Sequence, residues 1–296
     1  MATPLLLGLL AVLLAGPAPT LLARLHRTRV TPRSAMVLWQ AVALAAVLAA
    51  VGAALSLVTG TAWRRTPDLA PYAIAGVALL VAGLVLGRLL LSGHLVGTDL
   101  RALRRRHRDQ LDLLARADAR LPGPAAVRVL EHDLPVAYCV PGRRAERVVV
   151  SVGALDRLTA DEVTAVVAHE RAHLQARHDL VLEAFSVLHH AFPRWVSSAA
   201  ALAEVRLLVE VLADRAAARD GRRSALGSAL VTLAEGRASG PDFALAAAGP
   251  DLLVRVRLIG DRGPHRLQSA LLLGLAVAVL VVPTAFVVLP WLAGLG

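Results

Sequence analysis

The chain has 296 residues, of which 56% are hydrophobic, and its mean hydropathy is +0.61. This apolar content exceeds that of an ordinary soluble domain, so we expect much of the chain to lie in a lipid bilayer. The net charge of +10 at pH 7 does not indicate nucleic-acid binding, because the aromatic residues that stack on bases make up only 3% of the chain.

Four stretches are long and apolar enough to form membrane-spanning helices, which need about 20 residues each. They cover residues 4–23, 36–59, 70–92 and 268–292. The first is interrupted by Gly16, Pro17 and Pro19, and a cleaved signal peptide is the alternative interpretation. No basic residue precedes its apolar run, which favours a retained helix. We therefore predict three membrane helices in residues 1–92, and a fourth helix with a short tail in residues 268–296.

The arginines are unevenly distributed among the loops, which predicts an orientation. The loop after the first segment contains Arg24, Arg27, Arg29 and Arg33. The loop after the second contains only Arg64 and Arg65, whereas clusters at 101–108 and 255–266 mark both ends of the polar segment 93–267. We therefore predict a multi-pass protein of a bacterial cell membrane, with residues 93–267 in the cytoplasm and both termini outside.

Residues 93–267 have the pattern of a globular α+β domain. Residues 100–120 are typical of a basic helix, which the turn-forming residues 121–124 should break. Three short β-like runs follow at 126–130, 136–140 and 147–152, and they predict a small sheet. The single cysteine, Cys139, lies in the second run, where we expect a small core residue and no disulfide.

A capping box, Thr159-Ala-Asp-Glu162, predicts the start of a helix after these strands. That helix carries the HExxH motif His169-Glu-Arg-Ala-His173. Two histidines four residues apart lie on one helix face, so both imidazoles can reach one tetrahedral zinc ion. The intervening Glu170 is then placed beside a water at the open position, where it can act as the general base.

A second helical pattern over residues 204–219 supplies a candidate third ligand, Glu210. A carboxylate in so apolar a stretch is costly to bury without a partner, and a metal ion would be one. The alternative is a salt bridge between Glu210 and Arg206 or Arg215.

One zinc ion per chain, held by His169, His173 and Glu210, is therefore the predicted cofactor. Asp214 lies one turn after Glu210 on the same face, where it can accept the second imidazole proton of a ligating histidine, most simply His169. Arg215, Arg219, His178 and His190 are the candidates for a donor to the oxyanion, although a structural role is the simpler interpretation of each.

Residues 125–220 resemble the M48 and M56 families of integral-membrane gluzincins. The resemblance rests on Pro135-Val-Ala-Tyr-Cys-Val-Pro-Gly142, Val148-Val-Val-Ser-Val-Gly-Ala-Leu155 and the run from Leu158 to His173. The HERAH run that continues to Asp179, the short gap to Glu210 and the four-span layout are similar to M56, the antirepressor peptidases. Ala213 departs from the M56 pattern, because M56 proteins usually have cysteine at this position. M48 proteins have alanine there, as this chain does.

The resemblance implies an α-helical membrane protein with an α+β gluzincin-type metalloprotease domain. It also implies that Ala137 and Tyr138 lie near a sheet edge where an extended substrate adds as a strand. The expected partners are the lipid bilayer and a protein or peptide substrate, such as a transcriptional repressor in a signalling pathway. The alternatives are an M48-type quality-control protease of membrane proteins and a catalytically silent membrane sensor or scaffold.

Overall fold

A computed structural model describes residues 2–64, 69–117, 127–142, 146–192, 199–219, 221–238, 250–261, 263 and 265–293. The turn predicted at residues 121–124 lies outside this part of the chain. The contacts divide the protein into two compact units. The first comprises Met1–Val96, Ala184–Val205 and His265–Gly296, and the second comprises Gly97–Glu183 and Arg206–Pro264.

Most of the described residues are helical. The helices are α1 (Ala2–Ala15), α2 (Pro17–Ala23), α3 (Pro32–Arg64), α4 (Leu69–Leu114), α5 (Val152–Leu155), α6 (Ala160–Gln175), α7 (His178–Ala191), α8 (Ala199–Ala217), α9 (Arg223–Ala238), α10 (Pro250–Gly260) and α11 (Arg266–Ala293), with a 3₁₀-helix at His26–Val30. The strands are β1 (Ala115–Ala117), β2 (Val127–Leu130), β3 (Ala137–Val140) and β4 (Arg147–Ser151).

Four helical stretches are long and apolar enough to cross a membrane, and each of them begins in the first unit. They are Thr3–Ala23, Pro32–Thr59, Leu69–Leu114 and Arg266–Leu289. The prediction of four long apolar helices is thus confirmed. Gly16 separates α1 from α2, whose first residue is Pro17, a position at which proline costs no helical hydrogen bond. Small residues let the helices approach closely, since Ala41 and Ala45 of α3 are buried beside Ala276 of α11.

The second unit contains a four-stranded mixed sheet with the order β1-β2-β4-β3. The strand β4 lies between β2, which is parallel to it, and β3, which is antiparallel to it. The prediction of a small sheet from three β-like runs is confirmed. The strand β1 was not predicted, because α4 ends at Leu114 and not at residue 120. The strand β3 pairs with β4 alone among the described strands, so it forms one edge of the sheet.

The helix α6 packs against the sheet and α9. Val148 and Val150 of β4 share a buried apolar cluster with Val163 and Val167 of α6 and with Leu233 of α9. At the start of α6 the predicted capping box is present, with the Thr159 hydroxyl and the Glu162 side chain each accepting a backbone N–H of the other residue. The cap and this cluster fix the rotation of α6, and hence the direction in which its histidines point.

Candidate metal centre

The helix α6 presents His169 and His173 on one face, one turn apart. Their Nε2 atoms lie 3.1 Å from each other, and the two rings meet edge to face. His169 is 5% exposed, so its ring is enclosed by neighbouring elements. Both Nε2 atoms therefore point to a common position, as the HExxH spacing predicts.

The helix α8 brings Glu210 to the same position. One Glu210 carboxylate oxygen lies 3.5 Å from His169 Nε2 and the other lies 3.5 Å from His173 Nε2. Tetrahedral coordination, with zinc–ligand distances of about 2.0 to 2.1 Å, places ligand atoms about 3.3 Å apart. The separations are close to that value, with one Glu210 oxygen beside each histidine, and one ligand atom from each residue lies within 4.8 Å of the others. His169, His173 and Glu210 therefore form a group that could hold a metal ion.

Asp214 lies one helical turn after Glu210 and is 1% exposed. Its Oδ1 is 3.0 Å from Nδ1 of His169, on the opposite side of that ring from the Nε2 atom. A carboxylate at this distance favours the tautomer of His169 that carries its proton on Nδ1 and leaves Nε2 free for a metal.

Arg255 of α10 was missed as a site residue, since its sequence position indicated only a basic run before α11. Its Nε and Nη2 donate to the two carboxylate oxygens of Asp214, both at 2.8 Å, and its Nη1 lies 3.0 Å from Glu210 Oε2. Arg255 therefore holds the carboxylates of Asp214 and Glu210 in place. Arg255 is thus a cation beside Glu210, where the alternative interpretation of the sequence had placed Arg206 or Arg215.

The charges at the site act in opposite directions on the two histidines. Burial alone would lower the pKa of His169, but Asp214 and Glu210 raise it to about 9. Burial, aided by positive charge at His169, lowers the pKa of His173 to about 4. Burial would raise the pKa of Glu210, but hydrogen bonding to His169 and the charge of Arg255 lower it to about 2. The site thus combines an ionised carboxylate with one neutral imidazole at neutral pH.

Glu170 lies between the two histidines in sequence and faces the sheet. Burial raises the pKa of its carboxyl group, and the charge of Glu210 adds to this effect while His169 opposes it. The thiol of Cys139 hydrogen-bonds to Glu170, and burial raises the pKa of that thiol. Cys139 is only partly buried and lines the site, so the prediction of a simple core residue was incomplete. A carboxylate with a raised pKa accepts a proton more readily, as a general base must.

A cavity of about 580 Å³ contains the three candidate ligands, Glu170 and Arg255. Ala137, Tyr138 and Cys139 of the edge strand β3 form one wall, and apolar residues of α9 form another. The Tyr138 hydroxyl lies 3.1 Å from Nε2 of His107 on α4. The two residues predicted to lie near the substrate, Ala137 and Tyr138, thus line the same cavity as the candidate ligands.

The four residues considered as oxyanion donors are not equivalent in the structure. His178 contacts His173 directly. Arg215 and Arg219 are not among the described residues that line the cavity, whereas Arg255 is. His190 belongs to the first unit, where its Nδ1 lies 2.7 Å from the carbonyl oxygen of Ser186.

The model of peptidase family M48 matches residues 101–203. The match includes the whole of α6 and ends before Glu210, so it does not cover the third candidate ligand. M48 peptidases are metal-dependent, so the match supports a metallopeptidase activity for this chain and its similarity to the M48 family. The assignment to M56 is not confirmed, and neither is a signalling role. No curated protein and no solved structure matches the chain.

Proposed function

We propose that this protein is a membrane-anchored, zinc-dependent endopeptidase. The observation that carries the proposal is the convergence of His169, His173 and Glu210: the two Nε2 atoms lie 3.1 Å apart, and each has one Glu210 carboxylate oxygen at 3.5 Å. Two imidazoles and one carboxylate are the ligand set of catalytic zinc sites that leave a fourth position for water or substrate. The match to the M48 family supports the same activity.

When bound by these three side chains, zinc would polarise the carbonyl of the scissile bond and lower the pKa of a water molecule. Glu170 takes one proton from that water as the oxygen forms a bond to the carbonyl carbon. Glu170 then passes the proton to the amide nitrogen and the C–N bond breaks. The second proton of the water moves from the new carboxyl group to the amine, so a carboxylate and an ammonium group are released. The raised pKa of Glu170 suits both proton transfers.

The substrate binds in an extended conformation along β3. Among the strands that the structure describes, β3 pairs with β4 alone, and its residues Ala137 and Tyr138 line the cavity that contains Glu170. An edge strand offers unpaired N–H and C=O groups, which bind any extended peptide through its backbone. Selectivity then depends on side-chain pockets, and the apolar residues Leu230 and Leu233 of α9 favour an apolar side chain beside the scissile bond.

Four long apolar helices support anchoring in a membrane. We propose that this is a bacterial cell membrane and, from the distribution of the arginines, that the second unit faces the cytoplasm. The substrate would be a membrane protein in an M48-type quality-control role, or a transcriptional repressor in an M56-type pathway. We favour the membrane protein, because the family match is to M48.

Substitution of Glu170 by Gln tests the proposal directly. The full-length protein, purified in detergent, is incubated with quenched-fluorescent extended peptides and with zinc. We expect wild type to cleave a subset of the peptides and Glu170→Gln to be about 10² to 10⁴ times slower, because the amide cannot accept a proton. The variant should retain its zinc, since Glu170 is not a ligand. The exposed Glu131 offers a matched control, and Glu131→Gln should cleave like wild type.

Two outcomes contradict the proposal. Equal cleavage by wild type and Glu170→Gln would remove Glu170 from the chemistry. Zinc-loaded wild type that cleaves no peptide and no membrane-protein substrate would favour the catalytically silent scaffold.

A further inference from the structure

His178 makes a contact that the proposed reaction does not use. Its Nδ1 lies 3.1 Å from Nδ1 of His173, and the two rings meet at 84° with their centroids 5.0 Å apart. His178 is 6% exposed. An imidazole held at this distance is positioned for a hydrogen bond between the two rings.

The backbone makes a specific turn to place His178 there. The helix α6 ends at Gln175 and α7 begins at His178, and between them Arg177 adopts a positive φ of 50°. Non-glycine residues rarely adopt this conformation, and where they do it often marks a functional site. The amide of Arg177 donates to Leu174 and its carbonyl accepts from Leu180, so the turn is tied to both helices.

The direction of the hydrogen bond follows from the chemistry of the ring. The Nε2 atom of His173 faces His169 and Glu210, so a metal bound there requires the lone pair of that nitrogen. The proton of a neutral His173 is then on Nδ1, and His178 Nδ1 must accept it. We propose that His178 is a positioning residue of the metal centre: it accepts the Nδ1–H of His173 and thereby fixes the tautomer and the orientation of this ligand. This inference rests on the proposed zinc site, which it deepens.

Each candidate histidine ligand then has its own polar neighbour on the side away from the metal position. His169 has the carboxylate of Asp214 at 3.0 Å, and His173 has the neutral ring of His178 at 3.1 Å. Groups that hold the far nitrogen of a metal-bound histidine typically contribute 10- to 100-fold to metal affinity. The group beside His169 is therefore a charged carboxylate, whereas the group beside His173 is a neutral imidazole.

The test compares His178→Leu, which fills similar space without an acceptor, with His178→Gln, whose amide oxygen can accept the proton. His190→Leu is the matched control, since His190 is also on α7 but contacts a carbonyl of its own helix. Zinc affinity is measured on the full-length protein by chelator competition, and cobalt-substituted protein is examined by visible absorption. We expect His178→Leu to weaken zinc binding about 10- to 100-fold and to alter the cobalt spectrum. His178→Gln should restore most of the affinity, and His190→Leu should match wild type.

Two outcomes overturn the inference: wild-type affinity and spectrum in His178→Leu, or equal losses in the Leu and Gln variants. If His178→Leu does not fold, proton NMR of cobalt-substituted wild type decides. The Nδ1 proton of His173 should exchange slowly with D₂O, and rapid exchange would exclude the hydrogen bond. None of these measurements uses a substrate, so failed peptide cleavage would contradict the proposed function and leave this test intact.

Discussion

At the scale of single residues, the ionic groups around the site make metal binding and proton binding compete. In the metal-free protein at neutral pH, His169 carries a proton because its pKa is raised to about 9, whereas His173, with a pKa lowered to about 4, is neutral. Glu210 is ionised, because its pKa is lowered to about 2. Binding of a metal ion at the proposed site would therefore displace one proton, and that proton would come from His169.

This competition predicts the pH dependence of zinc affinity. As pH rises from 6 toward 9, the protonated fraction of His169 falls, so affinity should rise about tenfold per pH unit and level off near the pKa of about 9. Chelator competition at pH 6, 7 and 8 measures the slope. Asp214→Asn removes a charge that raises the pKa of His169, so the zinc affinity of this variant should level off at a lower pH than that of wild type. An affinity that is constant over this range in wild type would contradict the assignment.

The sequence indicated the candidate metal ligands, which the structure brings together, because their signals are local. His169 and His173 lie within five residues, and Glu210 is recognisable as a carboxylate in an apolar helix. Arg255 could not be assigned in this way, since its contacts with Asp214 and Glu210 depend on how α10 packs beside α8. The only local signal was an arginine in a helical segment that also contains Asp251 and Arg257, a pattern that is equally typical of a solvent-exposed position.

At the scale of elements, the start of α6 makes a prediction about stability. The Thr159 hydroxyl accepts the amide of Glu162, which would otherwise lack a partner in the first helical turn. Thr159→Ala should therefore lower the free energy of unfolding by about 1 kcal/mol. Denaturation of the metal-free protein, followed by circular dichroism, measures this change. Thr164→Ala is the control on the same helix, because Thr164 bonds only to a carbonyl of its own turn. An equal loss in both variants would argue against the cap.

Elements differed in how far the sequence predicted them. The strands β2, β3 and β4 coincide with runs of β-branched or aromatic residues that lie between turn residues. Their ends were therefore predicted to within one residue. The strand β1 was missed, because Ala115–Ala117 continues the helix-favouring composition of α4 and becomes a strand only by pairing with β2. The position of β3 at the edge is likewise a property of the sheet as a whole.

At the scale of the whole molecule, the arginine distribution predicts on which side of the membrane the metal centre lies. In a Cys139→Ala background, single cysteines are introduced at Asp68, in the loop after the second apolar segment, and at Arg116, whose side chain is 73% exposed. A membrane-impermeant maleimide should label the cysteine at position 68 on intact cells, and the one at position 116 only after permeabilisation. The reverse pattern would place the metal centre outside and exclude cytoplasmic substrates.

The metal content of the purified protein tests the central claim most directly. Full-length protein prepared without chelators is analysed for metals by mass spectrometry, together with Glu170→Gln, His173→Ala and Glu210→Ala. The three-ligand site predicts about one zinc ion per chain in wild type and in Glu170→Gln, and almost none in the two variants that lack a ligand. Wild type without zinc, or His173→Ala and Glu210→Ala with as much zinc as wild type, would contradict the assignment of this site.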